Sequence, residues 1–142
     1  EYPEVDVPIS MIRKFKESYS YVGESESGAR VKVPVDGKPR KIEIGKQVGL
    51  ACNQLLGEIF DSIKEVIAKA SPQSVFGMLQ NIVLTGGGSR IRNIDQELQR
   101  LLVDDGYEEP DVRISSREVM PFVGIGALKV AKAAREDQWI KP

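Results

Sequence analysis

The segment Asn81-Ile82-Val83-Leu84-Thr85-Gly86-Gly87-Gly88-Ser89-Arg90-Ile91 constrains the fold of this chain more than any other. A short apolar strand runs through three consecutive glycines straight into an amphipathic helical pattern. Glycine has no Cβ, reaches positive φ at little cost, and lets a flat or charged group approach the main chain. The free N–H groups at a helix start add donors and positive partial charge. Two readings follow: a tight strand-to-helix turn that binds nothing, or a stretch of backbone bared for a ligand. The segment fits neither G-x-G-x-x-G nor G-x-x-x-x-G-K-[ST], so this turn is neither a dinucleotide fingerprint nor a P-loop.

The pattern around that turn is mixed. Ser10, before Met11, Ile12, Phe15 and Tyr19, predicts a capped short helix reaching Val22 or Gly23. A polar loop over residues 24–29 follows. Val31, Val33, Val35, Ile42 and Ile44 then alternate with charges on either side of Asp36-Gly37-Lys38-Pro39, which predicts a β-hairpin with one wet face. From Lys46 to Ala70, Val48, Cys52, Leu55, Ile59, Ile63 and Val66 draw one stripe down a long helix that Ser71-Pro72 ends, with Gly45 as its N-cap. A short helix over 73–78, the strand 81–85, a helix carrying Ile91, Ile94, Leu98 and Leu101, a strand over 111–115 and a closing helix from Pro121 to Ala134 complete the chain. Strand–helix–strand–helix implies parallel pairing with a right-handed crossover, and so an α/β unit with a small α+β appendage.

Composition removes several functions. The chain has 142 residues, 41% hydrophobic and 29% charged, with a net charge of −1 and both signs interspersed, so no basic stripe for nucleic acid is present. With no histidine and a single cysteine, Cys52, it can form neither His-based catalytic groups nor Cys-rich zinc sites nor an internal disulfide. No apolar run approaches the ~20 residues that span a bilayer, and no signal-peptide pattern opens the sequence, so a reducing cytoplasm is expected and membrane insertion is not. The opening Glu1-Tyr2-Pro3-Glu4 reads as the middle of a longer protein.

Ile82-Val83-Leu84-Thr85-Gly86-Gly87-Gly88-Ser89 followed by an amphipathic helix resembles the adenosine motif of the actin-like ATPase superfamily. Lys16-Glu17 with Tyr21-Val22-Gly23 resembles the helix of that family's small second subdomain, and Val123-Gly124-Ile125-Gly126-Ala127 its final helix. Among bacterial actins, Leu79 to Val83, Gly86 to Arg92, Gly37-Lys38-Pro39 and Asp137-Gln138-Trp139 resemble the magnetosome-organising branch, with the shape-determining MreB type as near neighbour. The resemblance covers nearly the whole chain but only the C-terminal part of such a protein. It implies domain II of an actin-like (ribonuclease H-like) ATPase. Residues 1–65 would be the small subdomain with its return helix, and residues 66–142 the second half of the larger nucleotide-binding subdomain.

The resemblance also implies a ligand, ATP or ADP held on its adenosine side. Gly86, Gly87 and Gly88 would lay backbone against the nucleotide, with Ser89 adding a donor and Ile91 beside it. Lys16 and Glu17 would face them, the carboxylate accepting from ribose hydroxyls and the lysine stem covering the base. As plain residues, both are solvated helix charges. The family's phosphate loops have no counterpart here, so catalysis and Mg2+ are expected only in the full-length protein, and this piece alone is expected to be inactive. Residues 122–124 complete the pocket wall or simply pack. Asn93 stands where bacterial actins often have glycine and still suits a left-handed turn, while the loop Asp104 to Glu109 is longer and more acidic than usual. Arg90 and Arg92 are exposed charges or polymer contacts. The resemblance implies a cytoplasmic filament of identical copies, whose task is to organise magnetosomes, shape the cell or segregate DNA. A sugar-kinase or phosphatase enzyme and a non-polymerising scaffold of the same superfold are the rivals.

Overall fold

The structure is a computed structural model that describes residues 7–24, 28–35, 37–115 and 122–135, with side chains in the last stretch from residue 124 onward. The opening residues 1–6, the middle of the polar loop, Asp36, Pro121, the side chains of Phe122 and Val123, and the Asp137-Gln138-Trp139 match lie outside the described residues.

Helix α1 spans Ile9–Tyr19 and begins directly after Pro8, whose fixed φ suits a helix entry. Ser10 is therefore inside the first turn and makes no side-chain cap. The helix also stops short of Val22: Ser20 turns extended, and Tyr21 and Val22 run as a buried strand-like link. That link forms a parallel bridge with Arg92, through Arg92 N–H to the Ser20 carbonyl at 3.2 Å and Val22 N–H to the Arg92 carbonyl at 3.1 Å. Long-range pairing takes the chain out of the helix here.

The hairpin forms as β1 (Arg30–Val35) and β2 (Lys38–Glu43), antiparallel, with Val31 opposite Ile42 and Val33 opposite Arg40. Gly37 supplies the positive φ, 72°, that the turn needs. Val31 and Val33 are buried while Arg30 and Lys32 are exposed, so β1 has the alternation expected of a half-wet sheet. Ile44 leaves the strand and becomes the N-cap of the next helix.

Helix α2 spans Gly45–Ala68, with Gly45 as its first helical residue rather than its cap. Its most buried line is Gly45, Gly49, Cys52, Leu56 and Ile67, rotated from the sequence-read stripe, because two glycines sit on the inner face. The reason is Tyr21. A Cβ at Gly49 would come 2.3 Å from the Tyr21 hydroxyl, which donates to the Gly45 carbonyl at 3.3 Å. Hydrophobic periodicity cannot register a contact made by the lack of a side chain.

After α3 (Pro72–Leu79), with Pro72 in its first turn, strand β3 (Ile82–Leu84) pairs in parallel with β4 (Val112–Ile114) across helix α4 (Ile94–Asp104). The parallel unit read from the sequence is thus present. Its core is α4: Ile94, Leu98 and Leu102 are at most 1% exposed and cluster with Val22, Cys52, Leu56, Ile91 and Val112. Helix α5 spans Phe122–Ala133. Among the described residues the sheets are two pairs, β1–β2 and β3–β4.

Candidate functional site

Strand β3 delivers the chain to a turn in which only one of three glycines is demanded by conformation. Gly86 has φ of 79°, a region that side chains avoid. Gly87 has ordinary right-handed angles, φ −65° and ψ −33°, and opens a single 3-10 turn, Gly88–Arg90. The turn closes through Arg90 N–H to the Gly87 carbonyl at 3.3 Å and Ile91 N–H to the Gly88 carbonyl at 3.1 Å. The buried Ser89 hydroxyl donates to the Gly86 carbonyl at 2.8 Å and ties the turn to itself. A Cβ built on Gly86, Gly87 or Gly88 would meet no atom of the described residues within 4 Å. Among the described residues, neither φ nor packing therefore requires glycine at positions 87 and 88, and their lack of a side chain leaves main chain exposed.

The glycines do not run straight into the helix. Ile91 and Arg92 form an extended link held by the Tyr21 bridge, Asn93 takes a left-handed φ of 65°, and only then does α4 begin at Ile94. The first-turn N–H groups of α4 are thus separate from those of the glycine turn. Asn93 fulfils its expected left-handed role, since a short polar side chain tolerates that region best after glycine.

A cavity of about 480 Å³ lies where α1 faces this link, lined by Glu17, Ser89, Ile91, Arg92, Asn93 and Asp95 among others. Three of the sequence-read residues, Glu17, Ser89 and Ile91, meet there. Gly86 to Gly88 form the turn directly before it. Lys16 is not part of the lining; it is exposed, and its carbonyl accepts the Ser20 N–H that ends α1. Ile91 contributes mainly to the core, being 8% exposed. Arg92, Asn93 and Asp95 are lining residues that the sequence reading did not place in the site. An Asn just before an amphipathic run was the available signal, and it was read as a turn residue only. The cavity combines acids with the guanidinium groups of Arg90 and Arg92, suited to a polar ligand with hydroxyls and a negative charge. A second cavity, an apolar groove of about 600 Å³ between α2, α3 and β3, is lined chiefly by Leu55, Ile59, Ile63, Val66, Met78 and Val83. Its polar lining is limited to Glu58, Ser62 and Asn81, and of the two the first cavity is the one that gathers charged side chains of both signs.

The parallel strand–helix–strand unit belongs to an actin-like fold, as the likeness to solved structures shows. A MamK double helical filament superposes with a TM-score of 0.81 at 28% identity, covering 95% of this chain and 41% of that one. A non-polymerising MamK mutant bound to AMPPNP does so with a TM-score of 0.75 at 29% identity, over 92% and 39%. The chain belongs to the MreB/Mbl protein family, whose pattern matches residues 8–116. Among curated relatives, the actin-like protein MamK of Paramagnetospirillum magneticum (strain AMB-1) is 30% identical over 139 residues, 97% of this chain and 39% of that protein. MamK of Magnetospirillum gryphiswaldense (strain MSR-1) is 33% identical over 93 residues, 66% of this chain and 26% of that protein. These relatives bear out the likeness to the magnetosome branch. The chain spans about two fifths of the first relative's length.

Proposed function

We propose that this chain forms the adenosine-facing wall of the ATP cleft in a filament-forming, cytoplasmic actin-like protein that organises magnetosomes. One observation carries the reading: among the described residues nothing in conformation or packing requires Gly87 and Gly88 to be glycine, and the next residue, Ser89, lines the cavity that holds Glu17. A flat, polar ligand lying on bare peptide groups supplies the missing reason. The known binding of AMPPNP by one similar structure, and the filament formed by another, support the same ligand and the same assembly here.

In this reading the peptide groups of Gly86, Gly87 and Gly88 contact the nucleoside. The Glu17 carboxylate accepts from ribose hydroxyls, and Ser89 holds the turn in shape. Lys16, on the exposed side of α1, reaches the base only through its long stem. Residues 1–65 form the small subdomain and return helix, and residues 66–142 the half of the larger subdomain that carries the turn. Mg2+ and the phosphates would be held elsewhere in the longer protein, so the 142-residue piece alone binds nucleotide weakly and does not hydrolyse it.

The test is Gly87→Val in the full-length protein, assayed by equilibrium binding of an ATP analogue. Because a Cβ at 87 meets no described residue within 4 Å, the fold should persist, by circular dichroism, while nucleotide affinity is lost. Unchanged affinity overturns the assignment of the turn.

A further inference from the structure

The interspersion of both signs read from the whole sequence breaks down over one stretch, the hairpin. Residues 30–46 hold six cations, Arg30, Lys32, Lys38, Arg40, Lys41 and Lys46, against Asp36 and Glu43, while the whole chain has 20 cations and 21 acids. This segment therefore carries a surplus of four positive charges and the remainder a surplus of five negative ones. The register places Lys32 directly opposite Lys41, a like-charge pair that weakens a two-stranded sheet. Arg30 pairs with Glu43 at 3.8 Å, while Lys32, Lys38, Arg40 and Lys41 are exposed and pair with no described residue. A hairpin that gathers uncompensated cations against its own stability is shaped for an acidic surface.

The matching surface occurs in the same chain. Asp104, the last residue of α4, and Asp105, Glu108, Glu109 and Asp111 of the loop after it follow one another with no cation among them. Asp104 pairs with Arg100, Asp105 with Lys64 and Asp111 with Arg113, whereas Glu108 and Glu109 are exposed and pair with no described residue. Their backbone is fixed. Tyr107 N–H bonds the Leu102 carbonyl at 3.0 Å, Asp111 N–H the Leu79 carbonyl at 2.9 Å, and the Gln80 amide the Glu109 carbonyl at 3.3 Å. Both patches are thus preformed, which lowers the ordering cost of bringing them together.

We propose that the cationic hairpin of one copy docks on the acidic 104–111 loop of a second copy, an inference that rests on the filament reading and names one of its contacts. Two different patches that complement each other make a heterologous contact, which repeats from copy to copy and generates an open assembly. A polyanion such as nucleic acid or an anionic membrane would satisfy the hairpin but leave Glu108 and Glu109 unmatched, and a net charge of −1 gives it no long-range attraction to either.

The experiment uses the full-length protein in sedimentation and light-scattering assays of ATP-dependent assembly. One variant combines Lys38→Glu, Arg40→Glu and Lys41→Glu; a second combines Glu108→Lys and Glu109→Lys; a third carries both sets. Each single-patch variant should raise the critical concentration roughly tenfold or more, because like charges then face each other. The two mixed, or the third variant alone, should recover much of the assembly. Raising salt should weaken wild-type assembly, as the Debye length shrinks to ~3 Å at 1 M. Wild-type assembly with unaffected variants overturns this contact and leaves the filament reading standing. Loss in the hairpin variant without recovery by the charge swap also overturns it, since the hairpin would then serve another acidic partner. A wild-type protein that stays monomeric with every nucleotide overturns the filament reading itself. Folding is monitored by thermal melting, and the glutamate variant tests the contact independently should the hairpin variant not fold.

Discussion

Along α2, Cys52 and Leu56 join Ile94, Leu98 and Leu102 of α4 in a core where exposure falls to a few per cent or less. A quarter-turn or so away on the same helix, Leu55 and Val66 remain 39% and 55% exposed over the apolar groove that α3 and β3 complete. The residue types are alike and the helix is the same, so hydrophobicity alone does not set burial. What differs is whether a partner element within these residues arrives. Helix α4 reaches the first side because β3 and β4 must pair in parallel and a crossover helix has to cover one face of that pair. No described element fills the second side.

The largest test of this contrast is on the closed side. Leu98 is 0% exposed at the centre of the cluster, and Leu98→Ala removes its packing and leaves a cavity, so we expect a loss of about 3 kcal/mol in urea unfolding. A loss under about 1 kcal/mol would mean that α4 is not the keystone of the core.

A smaller and sharper test uses two glycines of α2 that differ only in what stands beside them. Gly49→Ala places a methyl 2.3 Å from the Tyr21 hydroxyl and 2.6 Å from its ring carbon, at a tyrosine 4% exposed. Overpacking of this kind costs about 1–3 kcal/mol, more than the roughly 0.5–1 kcal/mol that alanine contributes over glycine in a helix. Gly49→Ala should therefore destabilise. Gly57→Ala, with nothing within 4 Å of the new methyl, should stabilise by about 0.5–1 kcal/mol. Thermal melting of the two variants reads the opposite signs, and equal shifts would remove Tyr21 from its place against α2.

Those glycines also show what could be read from the sequence and what could not. The hairpin, the long helix and the parallel strand–helix–strand unit each announce themselves by a period of two or about 3.6 and by punctuation at Gly37, Pro72 and Asn93. Long-range events left no such trace. The bridge of Tyr21 to Arg92 ended α1 early and put an extended link between Gly88 and α4. The inner face of α2 rotated onto glycines because Tyr21 needed room. For the site, the bare turn and Glu17 were legible as motif residues, while the places of Arg92 and Asp95 depend on how α1 crosses the link, which one-dimensional spacing does not encode. The bond of the Ser89 hydroxyl to the Gly86 carbonyl is made inside a short turn, and spacing gave no sign of it.

The smallest effect is expected on the open side. Leu55→Gln keeps much of the side-chain volume and good helix propensity, and the residue is already 39% exposed, so little apolar area is re-exposed by the change. At ~25 cal/mol per Å² of apolar surface, the loss should stay below about 1 kcal/mol in the 142-residue chain, several times less than at Leu98. Urea midpoints for Leu55→Gln and Leu98→Ala in parallel decide the point. Comparable losses would show that the groove is filled in solution by a segment of the chain, and α2 would then have two closed sides. A loss confined to Leu98 keeps the groove as a solvent-facing apolar surface, distinct in both chemistry and location from the glycine turn.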